Sequence, residues 1–107
     1  MKLDTRILLA ASLMAAASVL SAAAPTDVLT KNACLACHGV ANKIVGPGYN
    51  EVAAKYKDVK DAKAQLRKSI KEGGSGKWGQ IPMAPQPNLA EADLNLIVDW
   101  LLDGAKA

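Results

Sequence analysis

Beyond its first two dozen residues, this chain has almost nothing large with which to build a core. Phenylalanine is absent, and the only aromatic residues are Tyr49, Tyr56, Trp78 and Trp100. A domain of this size is marginal even with ordinary side chains, because its surface is large for its volume. Such a chain needs a staple. Its two cysteines, Cys34 and Cys37, allow at most one internal disulfide, and a local one. Something other than side chains must organise the fold.

The first 24 residues are of a different kind. Seventeen of them are apolar, against about 45% of the remainder, which is ordinary for a globular domain. Lys2 and Arg6, diluted by Asp4, precede an apolar run from Ile7 to Leu20 broken only by Ser12 and Ser18. Ser21-Ala22-Ala23-Ala24 closes it. Basic, apolar, then small is the order of a secretory signal peptide. The run is short for a membrane span, which takes roughly 20 residues. The sequence predicts a signal peptide over 1–23 and one domain over 24–107. Cleavage after Ala23 is favoured, because cleavage after Ala24 would leave Pro25 first. The destination is an oxidising compartment outside the cytoplasm. The exported part carries a net charge of +2, too small to argue for nucleic acid.

The remaining pattern is helical. Thr26 or Asp27 can cap a helix from Val28 to about Cys37, with Leu29, Ala33 and Ala36 on one stripe. A loop over 39–50 is broken by Gly46-Pro47-Gly48. A short helix is expected across Glu51 to Tyr56. Asp58 or Asp61 can cap a third, with Ala62, Leu66 and Ile70 on one face and Gly73-Gly74 as its stop. Residues 73–88 hold Pro82, Pro85 and Pro87 and read as an irregular loop. Asn88 with Glu91 resembles a capping box for a last helix. There Leu94, Ile97, Val98 and Leu101 share a face that Leu96, Trp100 and Leu102 widen. Asn95, Asp99 and Asp103 form a single polar strip. So wide an apolar arc implies burial on more than one side. No period-2 run appears, and the expected class is all-α.

Cys34-Leu35-Ala36-Cys37-His38 is C-x-x-C-H, the attachment signature of c-type haem. Two thiols one helical turn apart can each add to a vinyl group of the same porphyrin, and the next residue offers an imidazole to iron. A thioredoxin-like pair would need a βαβ context, which is missing. A structural zinc site would need four ligands. A simple disulfide would leave His38 unexplained. The exported part has one further soft ligand, Met83, set between Pro82 and Ala84-Pro85. A lone methionine is ordinarily core filling. Here stiff neighbours can hold it as the second axial ligand, and His/Met ligation suits electron transfer.

These stretches, with Val45-Gly-Pro47, Tyr49-Asn-Glu-Val-Ala-Ala-Lys55, Trp78-Gly-Gln-Ile-Pro-Met83 and the Trp100 helix, resemble class I cytochromes c. The likeness is to the small bacterial c-551/c-552 group, over about residues 25–104. It implies a small cytochrome c fold: about four short helices and a long Met-ligand loop wrapped around one covalent haem c with its iron. It also implies that the Pro47 carbonyl orients His38, that the Trp78 indole reaches a haem propionate, and that the first and last helices cross with Leu29 near Trp100. Some positions depart from the pattern. Gln86 or Asn88 would support the Met83 sulfur. Ser69 stands where a basic residue is expected near a propionate, with Arg67 or Lys68 as replacements.

The reading that follows is a monomeric periplasmic electron carrier rather than an enzyme. The resemblance implies a quinol-oxidising complex as donor and an oxidase, nitrite reductase or peroxidase as acceptor. Leu35, Val40, Ile81 and Pro85 are candidates for the docking face, ringed by Lys31, Lys43, Lys71 and Lys77. The alternative is a haem-based sensor or small peroxidase with a labile sixth ligand.

Overall fold

The computed structural model describes residues 24–106, so the expected signal peptide over 1–23 lies outside the described residues. Four α-helices run over Pro25–Lys31 (α1), Tyr49–Tyr56 (α2), Ala62–Glu72 (α3) and Glu91–Leu102 (α4), with a 3-10 turn at Cys34–Ala36. Among the described residues there is no strand, only isolated bridges between His38 and Lys43 and between Gly74 and Met83. The class is the all-α one expected.

The first helix is shorter than expected and begins earlier. Pro25 occupies its opening turn, where a missing N–H costs nothing, so Thr26 and Asp27 lie inside the helix rather than capping it. At its end the Val28 carbonyl accepts from both the Asn32 N–H at 3.1 Å and the Asn32 Nδ2 at 2.8 Å. Ala33 then turns left-handed, with φ 58°. That reversal starts a separate turn for the cysteines.

α2 begins two residues before the expected Glu51. Asp61 flanks α3 as anticipated, but its carboxylate accepts from Gln65 Nε2 at 2.7 Å instead of capping the backbone. The expected capping box at α4 does not form. Ala90 is the N-cap, and Glu91, the first helical residue, is drawn across to Arg67 and Lys71 of α3.

α4 is the hub. Leu94, Ile97, Val98 and Leu101 are buried against α1, α2 and α3. Leu29 of α1 is fully buried in the same core that Trp100 adjoins. The Trp100 indole N–H donates to the Lys106 carbonyl at 2.8 Å, so the chain end folds back over it. The polar strip of α4 is not simply wet. Arg67 bonds Asn95, and Lys63 Nζ donates to Asp99 Oδ1 at 2.9 Å. The α3–α4 seam is thus apolar inside and charge-paired outside.

The Arg67 guanidinium beside Glu91, then the Lys71 ammonium, hold that carboxyl down to about 2 from an ordinary 4.5. A depressed carboxyl stabilises the fold above the unfolded value and stops doing so as pH falls through the folded one. The melting temperature of Glu91→Gln should therefore lie below wild type at neutral pH, modestly because the group is exposed. The gap should close as pH drops from about 4.5 toward about 2. A gap that does not change with pH would show that the carboxylate's charge is not involved.

Candidate haem-binding site

Between the helices lies a cavity of about 560 Å³, within the range of small-molecule and cofactor sites. α2 contributes Tyr49, Val52 and Tyr56, α3 contributes Leu66 and Ile70, and α4 contributes Ile97 and Leu101. Loop residues close the remaining sides. Cys34, Cys37, His38, Pro47, Trp78 and Met83 all line it, although they come from separate stretches of the chain.

The cysteine turn presents a half-buried Cys34 and an exposed Cys37, both free thiols. His38 follows directly. Its Nδ1 lies 2.8 Å from the Pro47 carbonyl oxygen. A carbonyl only accepts, so Nδ1 carries the proton and Nε2 keeps a free lone pair. That is the tautomer a metal requires. Two residues without an assigned role in the sequence reading complete the seat. The Tyr49 ring stacks on the imidazole, with centroids 5.0 Å apart and planes at 26°, and meets Trp100 edge-on at 5.4 Å. Gly46 passes so close that a Cβ there would lie 2.6 Å from His38 Cε1. The Val-Gly-Pro stretch was the visible signal for Gly46. The signal for Tyr49 was its place just after Pro47-Gly48, at the start of a helix.

Met83 is fixed by backbone. Its N–H donates to the Gly74 carbonyl at 2.8 Å, and its carbonyl accepts from the Gly74 N–H at 3.1 Å. Gly73, left-handed at φ 66°, allows this approach, since a Cβ there would sit 2.3 Å from the Met83 oxygen. Three residues on, the Gln86 N–H donates to the carbonyls of Ile70 and Lys71, both at 3.1 Å, and so caps the end of α3. Gln86 lines the cavity and Asn88 does not.

Other expectations are redistributed. Arg67 is engaged on the outer seam, and neither it nor Lys68 reaches the cavity that Ser69 lines. Lys31 and Lys71 pair with Asp93 and Glu91, whereas Lys43 and Lys77 stay at the cavity. Leu35 and Val40 are half-buried. The exposed apolar residues at the rim are Ile81 (67%), Ile44 (55%) and Val45 (42%). Ile44 and Val45 escaped the sequence reading because nothing in the loop's pattern tells which side faces out.

The donor set suits a c-type haem: two thiols, a free imidazole nitrogen and a thioether around one apolar cavity. It does not suit thiol–disulfide exchange. That chemistry favours a lowered thiol pKa, whereas burial pushes the Cys34 thiol up.

Comparison with known proteins agrees. The family model for cytochrome c matches residues 23–105. Cytochrome c-552 of Nitrosomonas europaea is 49% identical over 81 residues, covering 76% of this chain and 79% of that one. Cytochrome c-551 of Allochromatium vinosum is 42% identical over 82 residues, covering 77% and 87%. The crystal structure of wild-type Nitrosomonas europaea cytochrome c552 superposes with a TM-score of 0.71 at 48% identity, covering 76% of this chain and 99% of that one. The chain belongs to the cytochrome c family, with covalently attached haem c as its cofactor.

Proposed function

We propose that the protein is a monomeric, periplasmic single-electron carrier, exported by residues 1–23, with haem held by Cys34 and Cys37 and the iron by His38 and Met83. The observation that carries this is the convergence of all four side chains on one cavity. When bound, the haem supplies one-electron iron chemistry. The chain's part would be to hold the iron through His38 and Met83 and to keep other ligands out. His38 arrives with Nε2 free because Pro47 occupies Nδ1. Met83 arrives on a loop bonded to the end of α3. Ligation by both His38 and Met83 would leave no site open for substrate, which favours a carrier over a sensor or peroxidase. Trp78, at the cavity wall, is assigned to a haem propionate through its indole N–H. Gln86, rather than Asn88, is assigned to the Met83 sulfur, on its place at the wall.

Electron exchange is assigned to the rim where Ile44, Val45 and Ile81 are exposed, with Lys43 beside Ile44. An apolar patch with a lysine at its edge suits partners carrying acidic groups around a matching apolar surface. The donor would be a quinol-oxidising complex and the acceptor an oxidase, nitrite reductase or peroxidase. No helix among the described residues is long and apolar enough to cross a membrane.

The test is the visible spectrum of the purified exported protein, oxidised and reduced, with and without carbon monoxide, and after acid–organic extraction. The expected result is a sharp low-spin reduced spectrum, unchanged by carbon monoxide, from haem that resists extraction. Ready uptake of carbon monoxide would replace the carrier with a sensor or peroxidase.

A further inference from the structure

The charged lining of the cavity is one-sided. Lys43 and Lys77 belong to it, and no carboxylate does. The two lysines stand at different corners. Lys43 is bridged to His38 at the attachment corner. Lys77 stands at the other end of α2. Tyr49, the first residue of that helix, stacks on His38, and Tyr56, the last, takes Lys77. Seven residues at ~1.5 Å each put about 10 Å between those ends.

Lys77 is held in place. Its Nζ donates to the Tyr56 hydroxyl at 3.0 Å and lies 5.7 Å from that ring's centroid. Its own carbonyl accepts from Lys55 Nζ at 3.5 Å, and the same Lys55 ammonium lies 4.4 Å from the Trp78 ring centroid. The 77–78 segment is thereby clasped to α2. An ammonium has three donors, and the tyrosine uses one. Among the described residues no salt bridge involves Lys77, and its two oriented contacts leave its charge uncompensated.

A haem joined through its vinyl edge to Cys34 and Cys37 presents two carboxylates on the opposite edge. A carboxylate entering a largely apolar cavity is costly unless a cation meets it. We propose that Lys77, oriented by Tyr56, receives a carboxylate of the bound haem and acts as a positioning residue for that edge of the cofactor. This rests on the haem reading above. It follows that the Lys77 charge bears on the iron, because a nearby positive charge disfavours the ferric state.

The test uses holoprotein of wild type, Lys77→Gln, Lys77→Arg, Tyr56→Phe and, as a control for net charge, Lys106→Gln, which lies off the cavity. Reduction potentials are measured across mildly acidic to neutral pH at fixed ionic strength. Lys77→Gln is expected to lower the potential more than Lys106→Gln and to add a pH dependence on the acid side, where a released carboxylate titrates. Besides the two cysteines that would carry the haem, the other ionisable groups at that cavity are His38, Lys43, Tyr49 and Tyr56, with Lys55 beside Trp78; only Tyr56 changes in the series, in its own variant. Lys77→Arg should restore most of the wild-type value. Tyr56→Phe should shift it in the same direction as Lys77→Gln, by less. If Lys77→Gln holoprotein, with a normal low-spin spectrum, matches Lys106→Gln, the proposal fails while the haem reading stands. If Lys77→Gln yields no holoprotein, Tyr56→Phe decides: a wild-type potential overturns the proposal, and a lowered one supports it. Wild-type protein without attached haem would overturn both.

Discussion

Met83→Ala should keep its haem, lose its sixth ligand and drop in potential by on the order of a few tenths of a volt, within the ~0.8 V that axial ligands span. The haem stays because Cys34 and Cys37 hold it independently of the loop. The potential falls because a thioether favours ferrous iron, and no second methionine or histidine stands in reserve: Met83 is the only methionine after residue 14, and His38 the only histidine. The backbone that carries residue 83 should persist, since its bonds to Gly74 do not use the side chain. Carbon monoxide and imidazole, which the proposed ligation would keep out of the wild type, should therefore bind a preformed space. Potentiometric titration together with ligand-binding spectra checks this. A variant with the wild-type potential and the same exclusion of ligands would remove Met83 from the iron.

Removing the haem should cost more than any single substitution. In the double variant Cys34→Ala/Cys37→Ala, which cannot attach it, the cavity of about 560 Å³ loses its intended filling. At ~24 cal/mol per Å³, an empty space of that size would cost up to roughly 13 kcal/mol. Water entering at the open rim lowers that figure, but the comparison is with a whole-domain stability of about 4–12 kcal/mol at ~0.05–0.15 kcal/mol per residue. Even half the cavity cost would consume most of it. Far-UV circular dichroism on heating should show weak helicity and no cooperative transition at 25 °C or above. A sharp melt near that of the holoprotein would mean that the side-chain core suffices alone.

What could be read from the sequence was what chemistry confines to a short span. Two thiols and an imidazole must lie within one turn, so Cys34, Cys37 and His38 are adjacent in the chain. The burial of Leu94, Ile97, Val98 and Leu101 followed from the helical period. Helix ends were harder, because competitors far along the chain decide them. Glu91 looks like half of a capping box until Arg67 and Lys71, on another helix, take its carboxylate. Ala33, expected inside the first helix, turns left-handed instead. Pro25 is the exception: its place at the start of α1 could have been read and was missed. The surroundings of His38 were half legible. Pro47 came with a family resemblance, but the Tyr49 stack needs the loop between them folded. The support of Met83 was not legible at all, since Gly74 and Gln86 act on it through backbone groups that carry no residue identity.

That support limits how the Met83 loop can move. The loop is tied at the methionine itself, to Gly74 just beyond α3, and again three residues later by the Gln86 N–H on the last turn of that helix. On a free arm, both backbone and side-chain motion would carry the sulfur away. Here the side chain can still turn about its own bonds, but moving the residue-83 backbone must undo the bridge to Gly74. If Met83 ligates iron as proposed, its backbone is held by the same bonds that finish α3.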